Sequence, residues 1–170
     1  MSNTYIVYNG PMPTGIPASV ATSSTLYTLL QLKPAVPIKV TEWGISFNGS
    51  AAATPGVVEL VDAGTSFATV TAFAVADVMP FFDPNAGANT SGTSGTPLNL
   101  GTSASGYTSS SETAITISRV GDVQLIAPTN QYVKQFPLGR EFGVPAGDAL
   151  RVRASFGTSV NALCYVVFEV

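Results

Sequence analysis

Apolar and polar residues alternate with a period of two over the last thirty residues. Leu150, Val152, Ala154 and Phe156 interleave with Arg151, Arg153 and Ser155. Successive side chains of a strand point to opposite faces, so this spacing predicts a strand with one apolar and one polar face. A Val-Pro-Ala-Gly-Asp turn precedes it. Pro145 fixes φ, Gly147 can take a positive φ, and Asp148 can bond the local backbone. A Gly-Thr-Ser turn follows. From Leu163 to Val170 both parities are apolar, which predicts a strand covered on both faces. The earlier strands must supply that cover.

Residues 38–47 carry the second clear alternation. Lys39, Thr41, Trp43, Ile45 and Phe47 share one face, and Val40, Glu42, Gly44 and Ser46 share the other. Trp43, Ile45 and Phe47 read as a core stripe, and Gly44 opposite them marks a bend or a close backbone approach. Further strands are expected at 5–8, 25–32, 57–61, 66–75, 114–118, 122–126 and 131–136, with turns at 119–122 and 128–130. A short helix fits only at 74–79, ahead of Pro80. Eight to ten strands with closely spaced turn signals predict an all-β, antiparallel β-sandwich of jelly-roll type. No internal repeat points to a propeller or solenoid.

A chain of 170 residues has room for one domain with a proper core. Residues 9–17 hold three prolines and two glycines. Such a stretch is neither helix nor central strand, so 1–20 is expected as an extended arm and 21–170 as the sandwich. Within it, 81–111 is a long loop almost free of charge, unlike a disordered linker. Phe81, Phe82, Leu98, Leu100 and Tyr107 are spaced along it as anchors. An ordered excursion, draped over the sandwich or a neighbour, is expected.

Composition sharpens this picture. Charged residues are 10% of the chain, against about 25% in an ordinary soluble domain. Ser, Thr, Gly, Ala and Pro take their place, giving a surface with few long side chains to immobilise on contact. That suits permanent assembly. The net charge is −3 with no basic cluster, which argues against nucleic acid as a partner. Arg151 and Arg153, the one close basic pair, are expected in structural ion pairs or against a neighbouring subunit. The single cysteine, Cys164, lies in the most apolar stretch and reads as a small buried hydrophobe. The first ten residues lack a signal peptide's basic and apolar regions, and no window has the length of a membrane span. Synthesis in the cytoplasm and no membrane partner are expected.

Little is left for catalysis. The absence of histidine removes the serine and cysteine triads, the usual zinc sites and the metal site of cupin-type jelly rolls. The carboxylates are scattered, and only Glu42 and Glu59, on nearby strands, make a pair to test for glycoside hydrolysis. Asp83, Asn85 and Asn89 do not match a calcium-loop spacing and read as a turn. No enzymatic activity, cofactor or metal is expected.

Two stretches carry a resemblance. One is the turn Phe142-Gly-Val-Pro-Ala-Gly-Asp-Ala-Leu-Arg-Val-Arg ahead of the final apolar strand, and the other is the strand KVTEWGISFNGS at 39–50. In a short, charge-poor all-β chain they resemble small virion structural proteins of tailed bacteriophages, especially capsid decoration or cement proteins and related head or tail accessory proteins. The resemblance implies a homo-oligomer, often a trimer, seated on the major capsid protein and stabilising the shell. It brings no catalytic residues. The candidate interface is then the 1–18 arm, with Tyr5 and Tyr8, and the 81–107 excursion, with Phe81, Phe82, Leu98, Leu100 and Tyr107. Two other readings stand beside it. One is a glycan-binding, lectin-like or receptor-binding module using Tyr107, Phe81 and Phe82. The other is a jelly-roll capsid protein that forms shells by itself.

Overall fold

The computed structural model describes residues 3–11, 20–50, 54–80, 97–116 and 118–170. In chain order the strands are β1 (Thr4–Tyr8), β2 (Val20–Ala21), β3 (Tyr27–Leu32), β4 (Ile38–Asn48), β5 (Gly56–Asp62) and β6 (Thr69–Ala72). A single 3-10 turn, Val75–Asp77, lies where the short helix was expected. Then come β7 (Met79–Pro80), β8 (Gly106–Ser111), β9 (Arg119–Ile126), β10 (Gln131–Gln135), β11 (Phe142–Val144), β12 (Leu150–Ser155) and β13 (Asn161–Glu169).

These strands form two antiparallel sheets facing one another, an all-β sandwich. The first runs β10-β4-β13-β1-β7, with β11 continuing the β10 edge of β4 and β2 continuing the β1 edge of β13. The second runs β6-β8-β3-β12-β5-β9. The two strands most legible in the sequence are therefore interior in both sheets. β12 is flanked by β3 and β5, and β13 by β4 and β1. Leu150, Val152, Ala154 and Phe156 of the β12 stretch are buried with Ala162, Cys164, Val166 and Phe168 of β13 in one core. Trp43 and Ile45 join them, and Phe47 meets Phe156 edge to face at 4.7 Å.

Four expectations are corrected. First, β4 does not keep one parity along its length. Its pairing shifts from Glu42 opposite Val167 to Val40 opposite Phe168, leaving Thr41 as an extra residue. A bulge of this kind flips the alternation, so Ile38 and Val40 face the core on one side of Thr41, and Trp43 and Ile45 do so on the other. Second, 119–122 is not a turn. The β5–β9 register jumps from Leu60–Asp122 to Val61–Val120, so Gly121 is a bulge inside β9.

Third, the described residues of 114–118 are not a strand. β8 and β9 are separated in their sheet by β3, β12 and β5. The chain leaving β8 crosses the outside of that sheet, where Glu112 meets Thr28 on β3 and the Thr113 carbonyl meets Arg151 on β12. A transverse segment has no neighbour with which to form a ladder, whatever its β propensity. Fourth, the arm does not span 1–20: the strand expected at 5–8 forms as β1 and lies inside the sheet between β13 and β7. The excursion is shortened at its other end, because 106–111 is β8. Residues 12–19 and 81–96 lie outside the described residues.

Candidate functional site

The residues singled out as interface anchors separate. Tyr5 is 3% exposed and stacks on Phe168 at 5.6 Å, so its surface is used inside the chain. Leu98 is buried too, in a bridge opposite Pro34. Leu100 and Tyr107 are half-buried against the core, Tyr107 with its ring 5.6 Å from Phe73. Phe81 and Phe82 lie outside the described residues. Of the described anchors, Tyr8 stands on an outward face, in a cleft of mixed polar and apolar side chains, 5.7 Å from the ring of Tyr165.

The candidate chemical groups are engaged in structure. Glu42 and Glu59 lie in different sheets. Glu59 pairs with Arg153, whereas Glu42 accepts from the Tyr165 hydroxyl at 2.5 Å and from Gln135 Nε2 at 2.7 Å. Arg151 is ion-paired with Glu112. Cys164 is fully buried, and burial pushes its thiol pKa up. Among the described residues no group of three or more His, Cys, Asp and Glu side chains is placed to hold a metal ion. Nor is any helix among them long and apolar enough to cross a membrane.

The feature that sequence reasoning missed is β9, an edge strand whose faces are inverted. Asp122 points between the sheets and is 9% exposed. It accepts from Tyr132 Oη at 2.6 Å, Gln124 Nε2 at 3.0 Å and Trp43 Nε1 at 3.3 Å. The buried indole N–H needs an acceptor, and Asp122 supplies it across the sandwich. Strand alternation then turns Val123 and Leu125 outward, opposite Glu59 and Val57 of β5. They are 45% and 72% exposed.

They are not isolated. Among the described residues seven large hydrophobics are exposed, and five of them, Val120, Val123, Leu125, Val133 and Leu138, lie on β9, on β10 or in the loop after β10. β9 and β10 are the edges of the two sheets on one side of the sandwich, tied together by the Tyr132–Asp122 bond. Scattered exposed hydrophobics need no explanation, but a concentration along two strand edges that have no further partner among the described residues does, although Val120, Val123 and Leu125 face out from one sheet and Val133 from the other. Its sequence signal is the Asp122-Val-Gln-Leu125 alternation beside a core indole, which becomes readable only once β9 is known to face Trp43.

The outer face of the other sheet carries a second arrangement, laid out by register. Val133, Gly44, Tyr165 and Tyr8 stand in one row across β10, β4, β13 and β1. Gln135, Glu42, Val167 and Ile6 form the next. A methyl group at Gly44 would lie 2.5 Å from Tyr165 Cε1 and 2.8 Å from Cζ. Where a bend or a close backbone approach was expected at Gly44, the group that comes close is this side-chain ring, which lies across the strand and brings its hydroxyl to Glu42. Burial and the Glu42 carboxylate together push the Tyr165 phenol pKa up. The surrounding cleft, about 700 Å³, also takes in Thr41 and Phe136.

A further cleft of about 670 Å³, between Ile38, Val144, Pro145 and Val170, is apolar, and its Arg119 is already paired with Asp62. No family model, curated protein or solved structure matches the chain.

Proposed function

We propose that this chain is a non-enzymatic structural protein of a bacteriophage virion, a capsid decoration or cement protein. It is made in the host cytoplasm and seats as a homo-oligomer, a trimer in the simplest case, on the major capsid protein. The observation that carries the assembly part of this reading is the inverted edge strand. Val123 and Leu125 contribute nothing to the chain's own core, and their exposure on a free edge is unfavourable unless a neighbour covers them. The charge-poor composition supports the same reading, since few long side chains lose freedom when such surfaces meet. The virion part rests on the resemblance of the 39–50 strand and the 142–153 stretch to phage decoration proteins.

Two measurements test it. Light scattering behind size exclusion gives the solution mass against the 17.5 kDa chain, and a small stable multiple is expected. Fractionation of infected cells should place the protein with intact particles. Recovery only from the soluble host fraction overturns the virion reading. Shell-like particles formed by the purified chain alone replace decoration with shell formation.

A further inference from the structure

We propose that the Tyr8–Tyr165 face of the seven-stranded sheet is a binding site for neutral saccharides. A sugar ring offers two things to a protein: an apolar face of C–H groups, and equatorial hydroxyls that both donate and accept. A matching site needs a flat, outward aromatic surface beside fixed polar groups of both kinds.

The register supplies both. Tyr165 lies against the bare backbone of Gly44 and, half-buried, lines the cleft. Tyr8, directly opposite on β1, tilts toward it at 41° and extends the aromatic surface. Val167 and Ile6 floor the next row. At the β4 end, Glu42 is held by two neutral donors, the Tyr165 hydroxyl on one oxygen and the Gln135 amide on the other. A carboxylate has about four acceptor positions. With one donor on each oxygen it keeps acceptor capacity for sugar hydroxyls, and hydrogen bonds to an ionised group are the stronger kind. Gln135 adds a carbonyl acceptor in the same row, and Thr41 lines the cleft beside it. The Glu42 charge disfavours acidic sugars and phosphates, which is why the class is neutral.

This site is on the outer face of the sheet opposite to the one that carries Val123 and Leu125, and it shares only Val133, at the β10 end of the first row, with the exposed edge, so Leu125 variants test assembly without touching it. Single-site affinity on such an open cleft is weak, and a homo-oligomer gains by avidity on a polyvalent glycan.

The test is saturation-transfer and chemical-shift NMR of the whole chain with glucose, galactose, mannose and N-acetylglucosamine, alongside an array of neutral and acidic glycans. Binding of at least one neutral sugar is expected, with shifts on Tyr8, Tyr165 and Gln135. Gln135→Ala, an exposed position, should weaken it about tenfold without altering the urea midpoint. Tyr8→Ala should weaken it further, and Leu125→Glu should leave the monomeric sugar's affinity unchanged. No neutral sugar bound at millimolar concentration overturns the proposal. So does binding that Gln135→Ala and Tyr8→Ala leave intact, or binding confined to acidic glycans.

Discussion

The Glu112 carboxylate, on the segment that crosses outside the six-stranded sheet, closes on the guanidinium of Arg151, whose side chain is fully buried. Arg151 also donates to Thr28 Oγ1 through Nε at 3.0 Å and Nη2 at 2.8 Å, and to the carbonyl of Thr113 at 3.3 Å. The same carboxylate accepts the Thr28 backbone N–H at 2.6 Å, where the β3–β8 ladder has already ended. Burial lowers the Arg151 pKa, and the Glu112 charge opposes that shift. Removing one partner of a buried pair strands the other, at a cost of about 3–5 kcal/mol in full burial. Glu112 is 29% exposed, so Glu112→Ala should lower the unfolding free energy by about 2–3 kcal/mol in urea titrations. Arg151→Met combined with Glu112→Leu should recover part of the loss. A double variant no better than Glu112→Ala would show that the pair does not carry the crossing segment.

Gly44 and Tyr165 are coupled in the opposite sense, because a side chain at one excludes the ring of the other. Gly44→Ala places a methyl 2.5 Å from Cε1, an overpacking expected to cost about 1–3 kcal/mol. The ring must lift, breaking the hydroxyl bond to Glu42, and the raised Tyr165 pKa should fall toward the usual phenol range in an alkaline absorbance titration. In a Tyr165→Ser background the same Gly44→Ala change should be neutral or stabilising, since nothing then occupies the space. Equal effects in both backgrounds would show that the ring does not lie across the glycine.

How far each element was readable depended on how local its determinants are. β12, β13 and β4 were legible as strands because residues such as Val152, Val166 and Trp43 state their own burial, but the cover expected on both faces of β13 is not there: Leu163, Tyr165 and Val167 stand on the outer face of the sheet, and only Ala162, Cys164, Val166 and Phe168 enter the core. The glycine opposite Trp43 was legible as a close approach for the same reason, although the approaching group, Tyr165, is 121 positions away in sequence. The Thr41 bulge had no local signal: Val-Thr-Glu-Trp contains no glycine or proline, and the extra residue is set by pairing with Val167 and Phe168. The inverted faces of β9 depend on an indole in the other sheet. Tyr5 looked like an interface aromatic because it is near a terminus, yet register with Phe168 carries it into the core. The stretch 114–118 alternates like a strand, and for its described residues it is the strand order of the sheet beneath that denies them a ladder.

Tyr132 makes stability depend on alkaline pH. Desolvation and the hydrogen bond to Asp122 push its pKa from 10.0 to about 12. A raised folded-state value means that the protonated phenol is favoured by folding. Its contribution is complete below about pH 10 and is lost as pH rises from 10 through 12, where the unfolded chain ionises first. Tyr165 adds to the same trend. Urea midpoints of the wild type should therefore fall across that window, and Tyr132→Phe should flatten the fall. An unchanged slope in Tyr132→Phe would rule out this residue as its source.

Cys164 should be inert until the sheet opens. The thiol is fully buried and its pKa is raised by desolvation, so almost no thiolate forms at neutral pH. Its backbone is sealed by Asn9, which extends the β1 ladder with a side chain. Asn9 Oδ1 accepts the Cys164 N–H at 2.9 Å, and Nδ2 donates to the Ala162 carbonyl at 3.0 Å. A disulfide reagent such as DTNB should label native protein only at its opening rate. Asn9→Ala leaves two buried backbone groups unpaired, at about 1–3 kcal/mol each, and should speed labelling. Fast labelling of the wild type would place Cys164 outside the core.

Leu125 separates assembly from folding. It is 72% exposed on an edge strand and faces away from the core, so its substitution should leave the unfolding free energy of the single chain within about 0.5 kcal/mol of the wild type. If a neighbour covers this edge, Leu125→Glu buries a charge at the contact, and the oligomer should fall to the mass of one chain. Val123→Thr, on the same face, keeps β propensity while reducing apolar area and should give a weaker dissociation. Leu138→Ser tests whether the contact reaches Leu138, 97% exposed in the loop beyond β10. Mass unchanged in all three, with an oligomeric wild type, would move the interface away from β9 and β10. Loss of mass in Leu125→Glu with full retention of stability would show that this strand is inverted for assembly.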